Sequence, residues 1–154
     1  MTARILIVDD HEIVRQGVRS ILANRPDWEI CGEASNGQEA VDAVSSLHPD
    51  LVVLDITMPQ MSGLEAASRI SQLSHKCPVL IFTMHESAAL VADIRRSGAQ
   101  GYVQKSQAAR DLIHAIETLL GGNTFFAQPS DPKSPAKGTP KPGFSFRIRL
   151  SWAF

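Results

Sequence analysis

Leu51-Val52-Val53-Leu54-Asp55, followed by Ile56-Thr57-Met58-Pro59-Gln60-Met61-Ser62-Gly63, decides how the rest of this 154-residue chain is read. Four consecutive apolar residues with two β-branched valines at their centre predict a strand buried on both faces, the pattern of parallel sheets covered by helices. Asp55 ends that run. A carboxylate at the carboxyl end of a central parallel strand sits at the edge where open α/β sheets bind ligands. On this stretch alone Asp55 is either a reactive residue or the opening of a turn before Pro59, and the flanking sequence has to decide.

Working outward, Ile5-Leu6-Ile7-Val8 is a second apolar run, and it ends in Asp9-Asp10. The stripe Ile13, Val14, Val18, Ile21 and Leu22 predicts a helix that stops before Pro26, and residues 28–34 alternate roughly as an edge strand does. Asn36 opens a second helix with Glu39 placed to return a hydrogen bond and Ala40, Val41, Val44 and Leu47 facing inward, closed by Pro49. Ser62 and Glu65 form the spacing of a capping box, starting a third helix with Leu64, Ala67, Ile70 and Leu73 inward. Residues 78–82 predict a fourth strand with Thr83 at its end, 87–97 a helix stopped by Gly98, and 101–104 a fifth strand ending at Lys105. Ser106 is the expected cap of a last helix carrying Leu112, Ile113, Ile116, Leu119 and Leu120, ended by Gly121-Gly122.

Five strands alternating with five helices, joined by right-handed crossovers, predict an α/β doubly wound parallel sheet with helices on both faces. All strand ends then share one edge, which gathers Asp9, Asp10, Asp55, Thr83 and Lys105. Singly, each has an ordinary role: a helix cap, a β-branched strand end, a solvated ammonium. Together they are costly to place without a shared ligand. Carboxylates in close proximity repel, and Mg²⁺, a hard cation that keeps waters and accepts phosphate oxygens, relieves that repulsion. An ionised Asp55 could then attack a phosphoryl group in line, with Lys105 and Thr83 stabilising the transferred oxygens.

Composition is that of an ordinary globular protein, 44% apolar and 20% charged. Neither a signal peptide nor a transmembrane helix fits the apolar runs, so the expected location is cytoplasmic with no membrane partner. Cys31 and Cys77 lack the spacing of a zinc site or a disulfide framework. The charge is uneven: residues 1–127 hold 10 Lys+Arg against 15 Asp+Glu, net −5, and residues 128–154 hold 5 against 1, net +4. Five of the nine prolines fall between Pro129 and Pro142, which puts a domain boundary near Ala127. Residues 128–143 read as a linker too poor in apolar residues to fold. In 144–154, Phe144, Phe146, Ile148, Leu150, Trp152 and Phe154 alternate with smaller or charged residues, so this tail is expected to be disordered or to add one strand to a sheet edge.

Val8-Asp9-Asp10-His11, the Leu54 to Gly63 segment, Phe82-Thr83, and Gly98-Ala99-Gln100-Gly101-Tyr102-Val103-Gln104-Lys105 resemble the receiver domain of two-component response regulators. The flavour is that of the NarL/FixJ-type receivers that precede a LuxR-type helix-turn-helix, over about residues 3–122. The resemblance implies a flavodoxin-like, five-stranded sheet of order 2-1-3-4-5. It implies Asp55 as phosphoacceptor, a Mg²⁺ ion held by Asp9, Asp10, Asp55 and the backbone carbonyl of Thr57, and a phosphoryl group bound by Thr83 and Lys105. It further implies Tyr102 as the aromatic partner of Thr83 in switching, Thr57 and His85 as residues tuning the phosphate's lifetime, a sensor histidine kinase as phosphodonor, and dimerisation on phosphorylation. Ser106 stands where many receivers have a cis-proline after the lysine, a bond that costs roughly 3 kcal/mol without proline. No recognition helix can be drawn in residues 128–154, so no direct DNA binding is expected from this chain. The competing reading is a phosphatase of the haloacid-dehalogenase type, which also uses a strand-end Asp as nucleophile. Such enzymes want a second Asp two positions on, where this chain has Thr57.

Overall fold

A computed structural model describes residues 2–74 and 76–126. The elements are β1 (Ala3–Val8), α1 (Glu12–Leu22), β2 (Trp28–Ala34), α2 (Gly37–Leu47), β3 (Leu51–Leu54), α3 (Gly63–Ser71), β4 (Val79–Thr83), α4 (Ala88–Arg96), β5 (Gly101–Gln104), α5 (Ala108–Leu120) and β6 (Phe125–Phe126). All strand pairings are parallel, in the order β2-β1-β3-β4-β5-β6. The fold class and the order 2-1-3-4-5 hold, with β2 at the free edge as its alternation predicts. A sixth strand extends the sheet beyond β5. Two residues carry no periodicity, so nothing in the sequence signals β6. It fits because Gly101 has no side chain: a Cβ there would lie 2.6 Å from the carbonyl oxygen of Phe125.

The period of two along the strands sorts the core into two layers. Leu6, Val8, Val52, Leu54, Val79 and Ile81 point to one face, where Ala40, Val44, Ala67, Ile70 and Ile94 of α2, α3 and α4 cover them. Ile5, Ile7, Leu51, Val53, Leu80 and Phe82 point to the other, against Val18 and Leu22 of α1 and Leu112, Ile116 and Leu119 of α5. β3 is buried along its whole length, as its unbroken apolar run requires.

Four local expectations need correction. Ile13, assigned inward, is 74% exposed, because it precedes Val14 and Val18 on the helix by an angle that leaves it on the outer side. Ser106 does not cap α5; it lies within a 3₁₀ turn (Lys105–Gln107), and Gln107 occupies the cap position without a side-chain bond. Ser62 Oγ accepts from Glu65 N–H at 3.2 Å, but the Glu65 carboxylate turns to Arg69 at 2.9 Å, so among the described contacts only half of the capping box forms. Asn36 accepts from Glu39 N–H as expected, whereas the Glu39 carboxylate takes the N–H of Ser35. No cis peptide bond occurs among the described residues, Lys105-Ser106 included. The expectations for residues 128–154 lie outside the described residues.

One glycine fixes the loop after β3. Gly63, the first residue of α3, donates its N–H to Ile56 O at 2.7 Å, and a Cβ there would stand 1.9 Å from the carbonyl oxygen of Asp55. The neighbour is backbone, so it cannot swing aside. Gly63→Ala is therefore expected to cost about 3 kcal/mol through overpacking. Urea unfolding of the two proteins, read by circular dichroism, measures the loss.

Candidate functional site

The carboxyl ends of β1, β3 and β5 bring three charged side chains together. Asp9 directly follows β1 and is 1% exposed; Asp55 directly follows β3 and is 5% exposed. Lys105 directly follows β5, and its Nζ stands 2.7 Å from Asp9 Oδ2 and 3.2 Å from Asp55 Oδ1. The two carboxylates therefore share one ammonium. Asp55 Oδ1 also accepts the N–H of Ile56 at 2.8 Å. Burial raises the Asp55 pKa, the charge of Asp9 raises it further, and Lys105 opposes both.

The other predicted residues surround this cluster at different distances. Asp10 is exposed at the rim, where its Oδ1 lies 3.1 Å from Nδ1 of His11; Asp9 Oδ1 lies 3.3 Å from the same nitrogen and accepts the His11 backbone N–H at 2.9 Å. Thr83 ends β4 fully buried, and its hydroxyl oxygen accepts from His85 N–H at 3.1 Å. Thr83 pairs in register with Gln104, the residue before Lys105. Thr57 is exposed in the loop after β3, and His85 is exposed beyond β4. Tyr102 is 2% exposed, turned into the layer under α4 beside Ile81 and Ile94. Burial raises its phenol pKa.

Two participants escape a reading of the sequence. His11 bridges the acidic pair, and Arg15 reaches back from α1 to the carbonyl oxygen of Asp9 at 2.5 Å. The Asp-Asp-His spacing is visible in the chain; the reach of Arg15 is not, since it depends on how α1 packs over the loop.

A divalent cation fits the donors present. Donor atoms of Asp9, Asp10 and His11 lie within 4.8 Å of one another, and Asp9 Oδ2, although buried, receives no hydrogen bond, only the charge of Lys105. Oxygen-rich donor sets of this kind suit hard cations.

Residues 5–117 match the family model of the response regulator receiver domain. The chain belongs to that family. Among curated proteins the receiver is 34% identical over 122 residues to the transcriptional regulatory protein DegU of Brevibacillus brevis, covering 79% of this chain and 52% of that one. It is 33% identical over 130 residues to the nitrate/nitrite response regulator protein NarL of Escherichia coli, covering 84% and 60%. The chain thus spans somewhat over half the length of these curated relatives. Among solved structures, a LuxR-family two-component response regulator from Aurantimonas sp. is 40% identical with a TM-score of 0.78, over 84% of this chain and 91% of that one. A chain of the CheX-CheY-BeF₃-Mg²⁺ complex from Borrelia burgdorferi is 26% identical with a TM-score of 0.71, over 76% and 88%. Receivers of this family are switched by phosphorylation, with sensor histidine kinases as donors, and they generally bind Mg²⁺ at an acidic pocket. The phosphatase reading finds no support in these relatives. No helix among the described residues is long and apolar enough to cross a membrane.

The raised pKa of Asp55 has a signed consequence. The folded state holds that proton more tightly than the unfolded chain does, so stability falls as pH rises from the ordinary carboxylate value through the raised one. Asp55→Asn removes the penalty. The variant is expected to unfold at higher urea than the parent at pH 7, with the difference closing as pH falls below the ordinary Asp range; parallel titrations at several pH values measure it.

Proposed function

We propose that this chain is a Mg²⁺-dependent phosphoryl switch in which Asp55 accepts phosphate from a sensor histidine kinase. The observation that carries the proposal is the shared ammonium of Lys105, 2.7 Å from Asp9 and 3.2 Å from Asp55 at the end of the buried strand β3. Asp9, Asp10 and Asp55, with the backbone carbonyl of Thr57, would hold the cation; the Mg²⁺ in the Borrelia complex supports the choice of ion. When bound, it neutralises charge on the incoming phosphoryl group. Oδ1 of Asp55 is engaged by Ile56 N–H and Lys105, which leaves Oδ2 to attack phosphorus. The new O–P bond forms as the P–N bond of phosphohistidine breaks, and the leaving imidazole nitrogen takes its proton from water. Lys105 then follows the charge from carboxylate to phosphoryl oxygen, and the Thr83 hydroxyl donates to another.

Movement of Thr83 toward the phosphate would be read at Tyr102 on the adjacent strand, and from there on the surface of α4, β5 and α5. Exposed Ala88 and Ala89 beside Arg95 and Arg96 suit pairing of two copies on that surface. The names of the relatives, a transcriptional regulatory protein and a nitrate/nitrite response regulator, support transcription control as the setting. We place residues 1–127 as the receiver, with 128–154 as a separate segment making no direct DNA contact, in a cytoplasmic protein.

Incubation with radiolabelled acetyl phosphate tests the chemistry. Label is expected only with Mg²⁺ present, and none in Asp55→Asn; stable labelling of that variant at the parent's rate would overturn the assignment of Asp55. Lys105→Met is expected to slow labelling by about 10²-fold, the usual scale for losing one preorganised charge-stabilising group. Sedimentation with and without beryllofluoride checks the pairing, which predicts a doubled mass in the loaded state.

A further inference from the structure

The short loop between β1 and α1 has to present two adjacent carboxylates to an edge that already carries Asp55. Its own sequence does not force this arrangement, because His11, the residue before α1, makes no side-chain cap. Two contacts fix the peptide between Asp9 and Asp10. On one side Asp9 Oδ1 accepts the N–H of His11 at 2.9 Å; on the other the Asp9 carbonyl oxygen accepts from Arg15 Nη1 at 2.5 Å. The remaining nitrogens of Arg15 are also committed, Nε to Glu33 at 2.9 Å and Nη2 to Glu12 at 2.5 Å. Arg19, one turn further along α1, bonds the second oxygens of both glutamates and closes a four-membered ring of alternating charge. Glu33 belongs to β2, so the ring ties α1 and the sheet together, and among the described contacts only Arg15 reaches from it to the acidic loop. Its side chain is 16% exposed, far from the usual state of a surface arginine.

We propose that Arg15 is a positioning residue for the cation: by holding the Asp9 carbonyl it sets the Asp9-Asp10 peptide, and with it the direction in which Asp10 presents its carboxylate. This rests on the reading that Asp9 and Asp10 bind the divalent ion. Charge and position make opposite predictions for Arg15. A cation next to an acidic pocket repels Mg²⁺, so deleting it should tighten binding if charge alone mattered. If position matters, deleting it weakens binding, as loss of outer-shell partners does in metal sites, by about 10- to 100-fold.

Isothermal calorimetry of Mg²⁺ into the whole chain separates the two. Arg15→Met is expected to bind about 10- to 100-fold more weakly, Arg15→Lys to recover part of the loss, and Arg19→Met, which deletes the same charge without touching Asp9, to stay near the parent value. Urea unfolding without Mg²⁺ accompanies each variant. Should Arg15→Met not fold, Arg15→Lys decides the matter, with weaker binding expected there too. Binding by Arg15→Met as tight as the parent or tighter, or an equal loss in Arg19→Met, would overturn the role of Arg15. A parent that binds no Mg²⁺ would instead overturn the reading on which the role rests.

Discussion

Lys105 lying between Asp9 and Asp55 is the interaction on which the reactive edge depends. Two carboxylates, almost entirely buried and close together, oppose one another and oppose their own desolvation; the shared ammonium is what makes both tolerable in one place. The compensation is incomplete by arithmetic, one positive charge against two negative ones with Asp10 at the rim. An edge with such a deficit attracts a cation, and with the cation it can receive an anion that either carboxylate alone would repel. The site is thus built around an imbalance.

The backbone bears the consequences. The loops after β1 and β3 are each restrained by a contact that leaves little freedom: Gly63 packed against the carbonyl of Asp55, Arg15 bonded to the carbonyl of Asp9. Both restraints act on main chain and not on the carboxylates themselves.

Most of the fold was legible because hydrophobic period is a local signal. β3 reads as a strand buried on both faces, β1 and β4 as further apolar strands and β2 as an edge strand, and each strand is found there. The strand-end residues were legible for a topological reason, since parallel strands deliver all their carboxyl ends to one edge. What escaped reading depends on packing at a distance. Ile13 fits a helical stripe yet faces outward, and the carboxylates of Glu39 and Glu65 chose Ser35 and Arg69 over their own caps. The reach of Arg15 to Asp9 crosses six positions and is set by the seat of α1 on the sheet. β6, two phenylalanines long, exists because Gly101 leaves room beside β5, a vacancy no periodicity can announce.

That small strand, the last described element, is held from both sides. Phe126 pairs in register with Tyr102, with the guanidinium of Arg95 3.9 Å above its ring, and the rings of Phe125 and His114 stand T-shaped to each other. The polypeptide is therefore moored between α4 and α5, on the flank of the strand that carries Tyr102 and leads to Lys105. Any module joined downstream is tethered from that mooring and meets this flank at a high effective concentration, without needing strong intrinsic affinity for it. Losing the two ring contacts would lengthen such a tether by the residues of β6, and effective concentration changes with tether length.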